Sequence, residues 1–478
     1  MEGLRAPRHR KCRWSIVPIT RSPAAQECTL HAAAVQMLLV DGPVTGHNSA
    51  MKIAIVTAGA ATMFCGSCMQ DNTLVRALRS AGHDVTLVPT YTPIRVDEDD
   101  VSYDRVFLGG VNVYLDSAVP GWSRLPRWLT GWLDRPGVLQ VLTRRSSSTD
   151  GSKLGWLAID MLKGEQGPQR KDIRQLVTWL AADLQPDLIL FSNALLSGIV
   201  PSLRRRFDGP IACLLQGDDI FLDALPERWK GKAIDLVRDN SQHFDGLLTH
   251  SSWYADYLSN RIGLPRDRFH RIPLTIDTDL PESAHRGSSQ IKTIGYFARV
   301  CPEKGINNFL DAAERILPKA PSLQFLAAGY LPDLHAGWFH RRLNEAQALV
   351  GSESLQWLGS PLRREDKFRI LRTYDLLCVP TNYREPKGIF VLEAALAGVP
   401  SLVPHHGAFP ELIAGLGYGE TYKPESSESL AVAIQEILER PPTDVESTRI
   451  KDAVCRQHGM EATSVIISGV LESLRRRE

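Results

Sequence analysis

The sequence predicts an α/β protein of two Rossmann-like domains, and three observations carry that expectation. The chain has 478 residues, more than one hydrophobic core usually supports, so two domains of about 200 residues each are the natural division. From Met51 the pattern runs strand, glycine-bearing loop, helix, strand, and a second series of the same kind opens near residue 291. Between the two series, residues 272–289 are rich in Pro, Ser and Gly, the composition of a linker or loop.

Residues 1–50 differ in character from the rest of the chain. Arg5, Arg8, Arg10, Lys11, Arg13 and Arg21 crowd a Pro-containing stretch, and a short apolar run covers 32–40. A secretory signal has its charges directly before the apolar run; here uncharged or acidic residues intervene. The sequence MKIAIVT from Met51 reads as an opening strand, so the fold is expected to begin there. A disordered arm or a basic, acid-poor targeting peptide are the alternatives for the preceding residues.

In order, 52–57 reads as a strand, 58–67 as a loop, the amphipathic run to 80 as a helix and 83–89 as a strand, a βαβ signature. Apolar runs at 188–191, 211–215 and 246–249 continue the same sheet, alternating with helical stretches such as 173–182 and 252–261. The second series has strands at 291–297, 323–328, 355–358 and 376–380, with helices at 306–317 and 364–373. The boundary is placed near 285, giving domains 51–285 and 286–478. The last helical run, 461–477, has no strand after it and is a candidate to pack back across the junction.

With 55 basic against 54 acidic residues, no global field favours nucleic acid or an anionic membrane. The cysteines at 12, 28, 65, 68, 213, 301, 378 and 455 are scattered, unlike a secreted disulfide framework, so a reducing, cytoplasmic setting is expected. Nothing in the chain reads as a spanning helix.

The most informative segment is 384–400, REPKGIFVLEAALAGVP. Glu385 precedes Gly388, where a loop turns into a helix, and Glu393 lies about one turn inside. The two carboxylates flank a helix start whose free amides face a phosphate or a sugar hydroxyl; the bland alternative is two solvated acids on an amphipathic helix. Upstream, GYFARVCPEKG at 295–305 puts Arg299 and Lys304 in a strand-to-helix loop, at the carboxyl end of the sheet where open α/β folds bind ligands. Two cations there suit a diphosphate and stabilise it as a leaving group in place of a divalent metal.

Together these segments resemble the retaining glycosyltransferases of family 4, whose GT-B fold places the active site in the cleft between two Rossmann-like domains. The resemblance rests on 295–305, Leu358 with Gly359, residues 379–381, the glutamate motif 385–393, residues 398–400 and GAFPE at 407–411. It implies a hexosyltransferase that moves a sugar from a UDP- or GDP-sugar onto a sugar, lipid or other small-molecule acceptor, with retention and with no metal or other cofactor. It implies that Arg299 and Lys304 contact the donor phosphates, that Glu385 faces the transferred sugar and that Glu393 binds the ribose hydroxyls. The amides of Gly388, Ile389 and Phe390 then line the donor. An epimerase or phosphorylase on the same fold, or a silent sugar-nucleotide binding protein, are the rival readings.

The first half departs more from the family. In place of a Gly-Gly loop it has FCGSCM at 64–69, where Gly66 still permits close approach to donor or acceptor; a redox role for Cys65 and Cys68, and after it a metal pair, are the lesser alternatives. In GPIACLLQGDD, 209–219, Gln216 stands where several family members carry a His, and Gln is no general base. Asp218 or Asp219 is expected either at the acceptor face or as a helix cap. The acidic run Asp97, Glu98, Asp99 and Asp100 is read as a solvated loop rather than a metal site. His405 and His406 are read as donor-side lining or plain structure, and the Trp- and Arg-bearing segment 122–133 as core packing, or else as a membrane-interface or acceptor-binding helix.

Overall fold

Among the described residues, two parallel sheets of six strands each organise the protein. This computed structural model describes residues 50–59, 66–103, 106–108, 151–280, 291–361, 363–424, 427–440 and 443–475. The basic N-terminal extension, Cys65, the tryptophan-bearing segment 122–133 and the expected boundary at 285 lie outside the described residues. The first sheet holds β1 (Lys52–Thr57), β2 (Asp84–Pro89), β3 (Leu188–Phe191), β4 (Ile211–Leu214), β5 (Gly246–Thr249) and β6 (Phe269–Arg271) in the order β2-β1-β3-β4-β5-β6. Its helices are α1 (Gly66–Ser80), α2 (Gly151–Leu162), α3 (Arg170–Thr178), α4 (Val200–Arg204), α5 (Asp218–Ala224), α6 (Glu227–Ser241) and α7 (Ser252–Ile262).

The second sheet holds β7 (Lys292–Phe297), β8 (Leu323–Ala328), β9 (Leu355–Trp357), β10 (Leu376–Cys378), β11 (Ser401–Pro404) and β12 (Glu420–Tyr422) in the order β12-β11-β10-β7-β8-β9. With it come α8 (Ile306–Ile316), α9 (Asp333–Val350), α10 (Arg364–Leu371), α11 (Ile389–Leu396), α12 (Phe409–Leu416), α13 (Ser427–Leu438), α14 (Asp444–His458) and α15 (Met460–Arg475). No helix among the described residues is long and apolar enough to cross a membrane.

The strands are short apolar runs because a parallel sheet is covered on both faces. In β1 the period of two is visible in the packing. Ala54 and Val56 join one core with Ile189, Phe191 and Cys213, whereas Ile53 and Ile55 join the other with Leu74, Leu78 and Leu190. That second core also takes Ile467, Leu471 and Leu474 from α15, so the last helix lies on the first sheet. The segment after β6 is clasped by the same region: Ile276 N–H donates to His458 O at 2.8 Å and Thr275 Oγ1 to Thr463 Oγ1 at 3.0 Å.

Strand order fixes where ligands go. In each sheet the chain leaves a central strand in both directions, at β1 between β2 and β3 and at β7 between β8 and β10. The crevice beyond the carboxyl ends at such a switch point is the binding site of open α/β sheets. In the second sheet it is bounded by the loops after β7 and β10, which carry Arg299, Lys304 and Glu385.

Candidate active site

The loop after β7 is held from below by a buried tyrosine. Tyr296 Oη donates to the carbonyl oxygens of Arg299 and Lys304 at 3.1 and 3.4 Å, which sets the loop at both of its cationic residues. Gly305 then turns the chain with φ of 73°, and a Cβ there would lie 1.7 Å from Pro380 O. Only glycine allows this loop to press against the end of β10. Asn382 N–H donates to Glu303 O at 2.8 Å, joining the two loops into one rim.

Within that rim Lys304 Nζ lies 2.6 Å from Glu385 Oε2, over the rings of Tyr383 and Phe390 at 5.0 and 5.3 Å. Glu385 is 4% exposed and also accepts from Tyr383 Oη at 2.5 Å and from Gly388 N–H at 3.4 Å. Burial alone would raise its pKa, but the charge of Lys304, the hydrogen bonds from Lys304 and Tyr383 and the charge of Lys387 outweigh burial and hold the carboxyl below its ordinary range. Glu385 is therefore an ionised carboxylate facing an ammonium. Arg299 is exposed, a second cation open to an arriving anion.

Gly388 adopts φ of 77° and caps α11. Ile389 and Phe390 supply the first amides of that helix, which have no carbonyl partner within it. Glu393 sits farther along α11, 9% exposed, with Oε1 2.6 Å from Lys367 Nζ. Lys367, on α10, also reaches Asp97 Oδ2 at 2.5 Å.

That contact corrects the reading of 97–100 as a solvated loop. Asp99 and Asp100 are exposed, but the Asp97 and Glu98 side chains are only 9% and 11% exposed. Glu98 meets Arg76 at 2.7 Å and Arg364 at 3.6 Å. The fold brings counter-ions from α1 and α10 to carboxylates that the sequence alone leaves facing water.

The loop carrying Glu385 is seated on the first half of the chain. Lys387, 8% exposed, donates to Gln216 Oε1 at 3.0 Å and to Ser67 Oγ at 3.1 Å. Gln216 Nε2 donates in turn to Asp71 Oδ1 at 2.7 Å, and Thr57 Oγ1 donates to Asp71 Oδ2 at 2.8 Å. Ser251 Oγ donates to Pro386 O at 3.2 Å. Glu411 spans the junction as well, accepting from the amides of Ser252 and Trp253 at 2.9 and 3.3 Å. The sequence reading missed Tyr383, Lys387 and Lys367; the first two lay inside or beside the glutamate motif.

The remaining candidates divide. Gly66 is exposed at the start of α1. Asp218 is 4% exposed and accepts from the amides of Ala194 and Gln216 at 2.8 and 3.1 Å, which engages both oxygens with main chain; the cap of its own helix is Gly217. Asp219 accepts from Tyr254 Oη at 2.6 Å. His406 Nε2 lies 3.2 Å from Thr381 O, and His405 is exposed beside Thr421.

Two Rossmann-like sheets, their switch points meeting at one junction, make this a GT-B protein. Solved structures share that fold: sucrose-phosphate synthase from Thermosynechococcus elongatus, at a TM-score of 0.64 and 17% identity, covers 88% of this chain and 98% of its own. The Anabaena protein Alr3699/HepE, solved in complex with UDP and glucose, has a TM-score of 0.59 and 14% identity over 88% of this chain and 100% of its own. Residues 72–275 match the glycosyl transferase 4-like domain and residues 282–452 the glycosyl transferases group 1. The chain belongs to the group 1 glycosyltransferases. Among its relatives, the lipopolysaccharide core biosynthesis mannosyltransferase LpsB of Rhizobium meliloti is 29% identical over 54% of this chain and 72% of its own length. Glycogen synthase of Mycobacterium tuberculosis is 25% identical over 77% and 81%.

Proposed function

We propose that this glycosyltransferase takes its sugar from a UDP- or GDP-sugar and transfers it, with retention at the anomeric carbon and without a metal ion, to a sugar, lipid or other small-molecule acceptor. The observation that carries this is the Lys304–Glu385 pair at the switch point of the second sheet, with Arg299 open beside it. As the bond to the anomeric carbon breaks, charge builds on the departing diphosphate. Arg299 and Lys304 stabilise that charge more than they tighten the ground state. Glu385, kept ionised, faces the cation-like sugar, while Glu393 takes the ribose hydroxyls. The mannosyltransferase relative supports transfer of a sugar, and the complex of the Anabaena protein with UDP and glucose supports a nucleotide-sugar donor. Buried free thiols at Cys213, Cys301 and Cys378 support a cytoplasmic setting.

The test has two stages. Thermal shift with UDP, GDP, ADP and their sugars names the base, since a ligand at a hundred times its Kd stabilises by about 2.7 kcal/mol. Transfer to candidate acceptors is then followed by NMR of the new linkage. Glu385→Gln is expected to lower kcat, and Glu393→Gln mainly to raise the donor KM. An inverted linkage refutes retention. Donor isomerisation, or turnover that requires phosphate, assigns the site to an epimerase or phosphorylase; stoichiometric binding without turnover assigns it to a binding protein.

A further inference from the structure

One ammonium, that of Lys367, is shared between carboxylates from the two halves of the chain. Asp97, in the loop after β2, approaches it at 2.5 Å and Glu393, on α11, at 2.6 Å. Lys367 is 4% exposed and the Asp97 side chain 9%, so this is an interior arrangement rather than a surface pair. Two carboxylates around one cation leave the cluster with an excess of negative charge. Phosphate is repelled there, while hydroxyl and N–H donors are welcome.

The second observation is an orphan acceptor. Asp97 Oδ2 is held by Lys367, but Asp97 Oδ1 is buried without a hydrogen-bond partner. A buried carboxylate oxygen left unpaired is costly and calls for an explanation; a donor brought by a ligand supplies one. Glu393 lies five residues beyond the cap Gly388, about 7 Å along the helix axis from the end where Arg299 and Lys304 meet the phosphates. That offset matches the distance from a diphosphate to its nucleoside.

We propose that Asp97 is a nucleoside-recognition residue: Oδ1 accepts a hydrogen bond from the nucleoside of the donor, so the first half of the chain helps to bind the nucleotide. Lys367 is then a positioning residue that holds Asp97 and Glu393 on either side of one charge. This rests on the reading of Glu393 as the ribose contact. It extends that reading to an acidic loop across the junction.

The test is calorimetric titration of wild type, Asp97→Asn, Asp97→Ala and the exposed control Asp99→Asn with UDP, GDP and inorganic pyrophosphate, each variant first shown to melt cooperatively. In Asp97→Asn the amide oxygen stays on Lys367 and an NH2 replaces the acceptor. Nucleoside diphosphate binding is expected to weaken about tenfold in both Asp97 variants, a loss of about 1.4 kcal/mol, with pyrophosphate binding unchanged and Asp99→Asn like wild type. Unchanged nucleoside diphosphate affinity in both variants overturns the proposal. So does equal loss of nucleotide and pyrophosphate, which would make Asp97 a structural latch. A wild type that binds pyrophosphate but neither nucleotide defeats the donor reading itself, an outcome distinguishable from failure of the Asp97 variants alone.

Discussion

Replacing Lys304 by methionine separates what this residue does for the fold from what it does for catalysis. Lys304 and Glu385 have side chains only 15% and 6% exposed and meet at 2.6 Å. Removing one member of a buried pair leaves the other charged and uncompensated, typically a cost of 3–5 kcal/mol. Tyr383 Oη and the Gly388 amide still reach Glu385, so the lower end, about 3 kcal/mol, is expected. The pH dependence should also weaken. In wild type the carboxyl is held low, so its contribution is present above the unfolded pKa and is lost as pH falls through the folded value. In Lys304→Met the charge and hydrogen bond of Lys304 are gone while the hydrogen bond of Tyr383 and the charge of Lys387 remain, so the carboxyl is held down less, and less stability is lost on the acid side. Urea denaturation of wild type, Lys304→Met, Glu385→Gln and the double variant at about pH 4.5 and pH 7.5 reads both effects. The double variant should recover most of the stability and none of the turnover, which should stay roughly 10² below wild type in kcat. A Lys304→Met variant within about 1 kcal/mol of wild type at the higher pH, or a double variant losing the sum of the singles, refutes the reasoning.

Three further outcomes are expected. EDTA should leave transfer largely intact under the proposal that Arg299 and Lys304 neutralise the diphosphate in place of a metal; loss of activity restored by Mn2+ would contradict this. Glu411→Ala removes the acceptor at the first amides of α7 and should cost about 1 kcal/mol in a urea melt, with no change expected if the contact across the junction is incidental. A chain starting at Met51 should match the full chain in melting temperature and donor turnover, and a large deficit in either would show that the first fifty residues matter.

Much of the architecture was legible because buried parallel strands are compact apolar runs; 188–191, 211–215 and 246–249 could be read directly. β6, Phe269–Arg271, could not, since Phe-His-Arg offers neither an apolar run nor alternation. The glutamate motif was legible because a carboxylate before a glycine-capped helix start carries its geometry in its spacing. The partners of that motif were not. Lys367 is one cation on an amphipathic helix, and Asp97 one acid in an acidic run. Their joint meaning comes from a contact between residues 270 positions apart, which no local periodicity records. The cap reading of Asp218 misses for a related reason: an acid at a helix start suggests a cap, whereas the fold presents it with amides from Ala194 and Gln216.

The absence of a histidine at position 216 shifts attention to Asp71 as the group whose titration the site feels. Gln216 carries no titratable proton, but its amide lies between Lys387 and Asp71. Burial pushes Asp71 up to about 6, against the lowering effect of hydrogen bonds from Thr57, Ser192 and Gln216 and the charge of Lys387. A carboxyl raised from 3.8 to about 6 binds its proton more tightly in the native state, so stability present at low pH is lost as pH rises through that window. The gap is worth up to about 3 kcal/mol. Asp71→Asn has no such loss: measured by urea melts, its stability relative to wild type should improve by up to that amount between about pH 4 and pH 7.5. Below about pH 6 the protonated Asp71 no longer offers a full charge to the Gln216 amide, so Lys387 and the loop bearing Glu385 lose part of their anchorage. Wild-type kcat should accordingly fall on the acid side near that pH, and Asp71→Asn should lack that limb. A stability difference independent of pH, together with an acid limb retained in the variant, would assign both effects to another group.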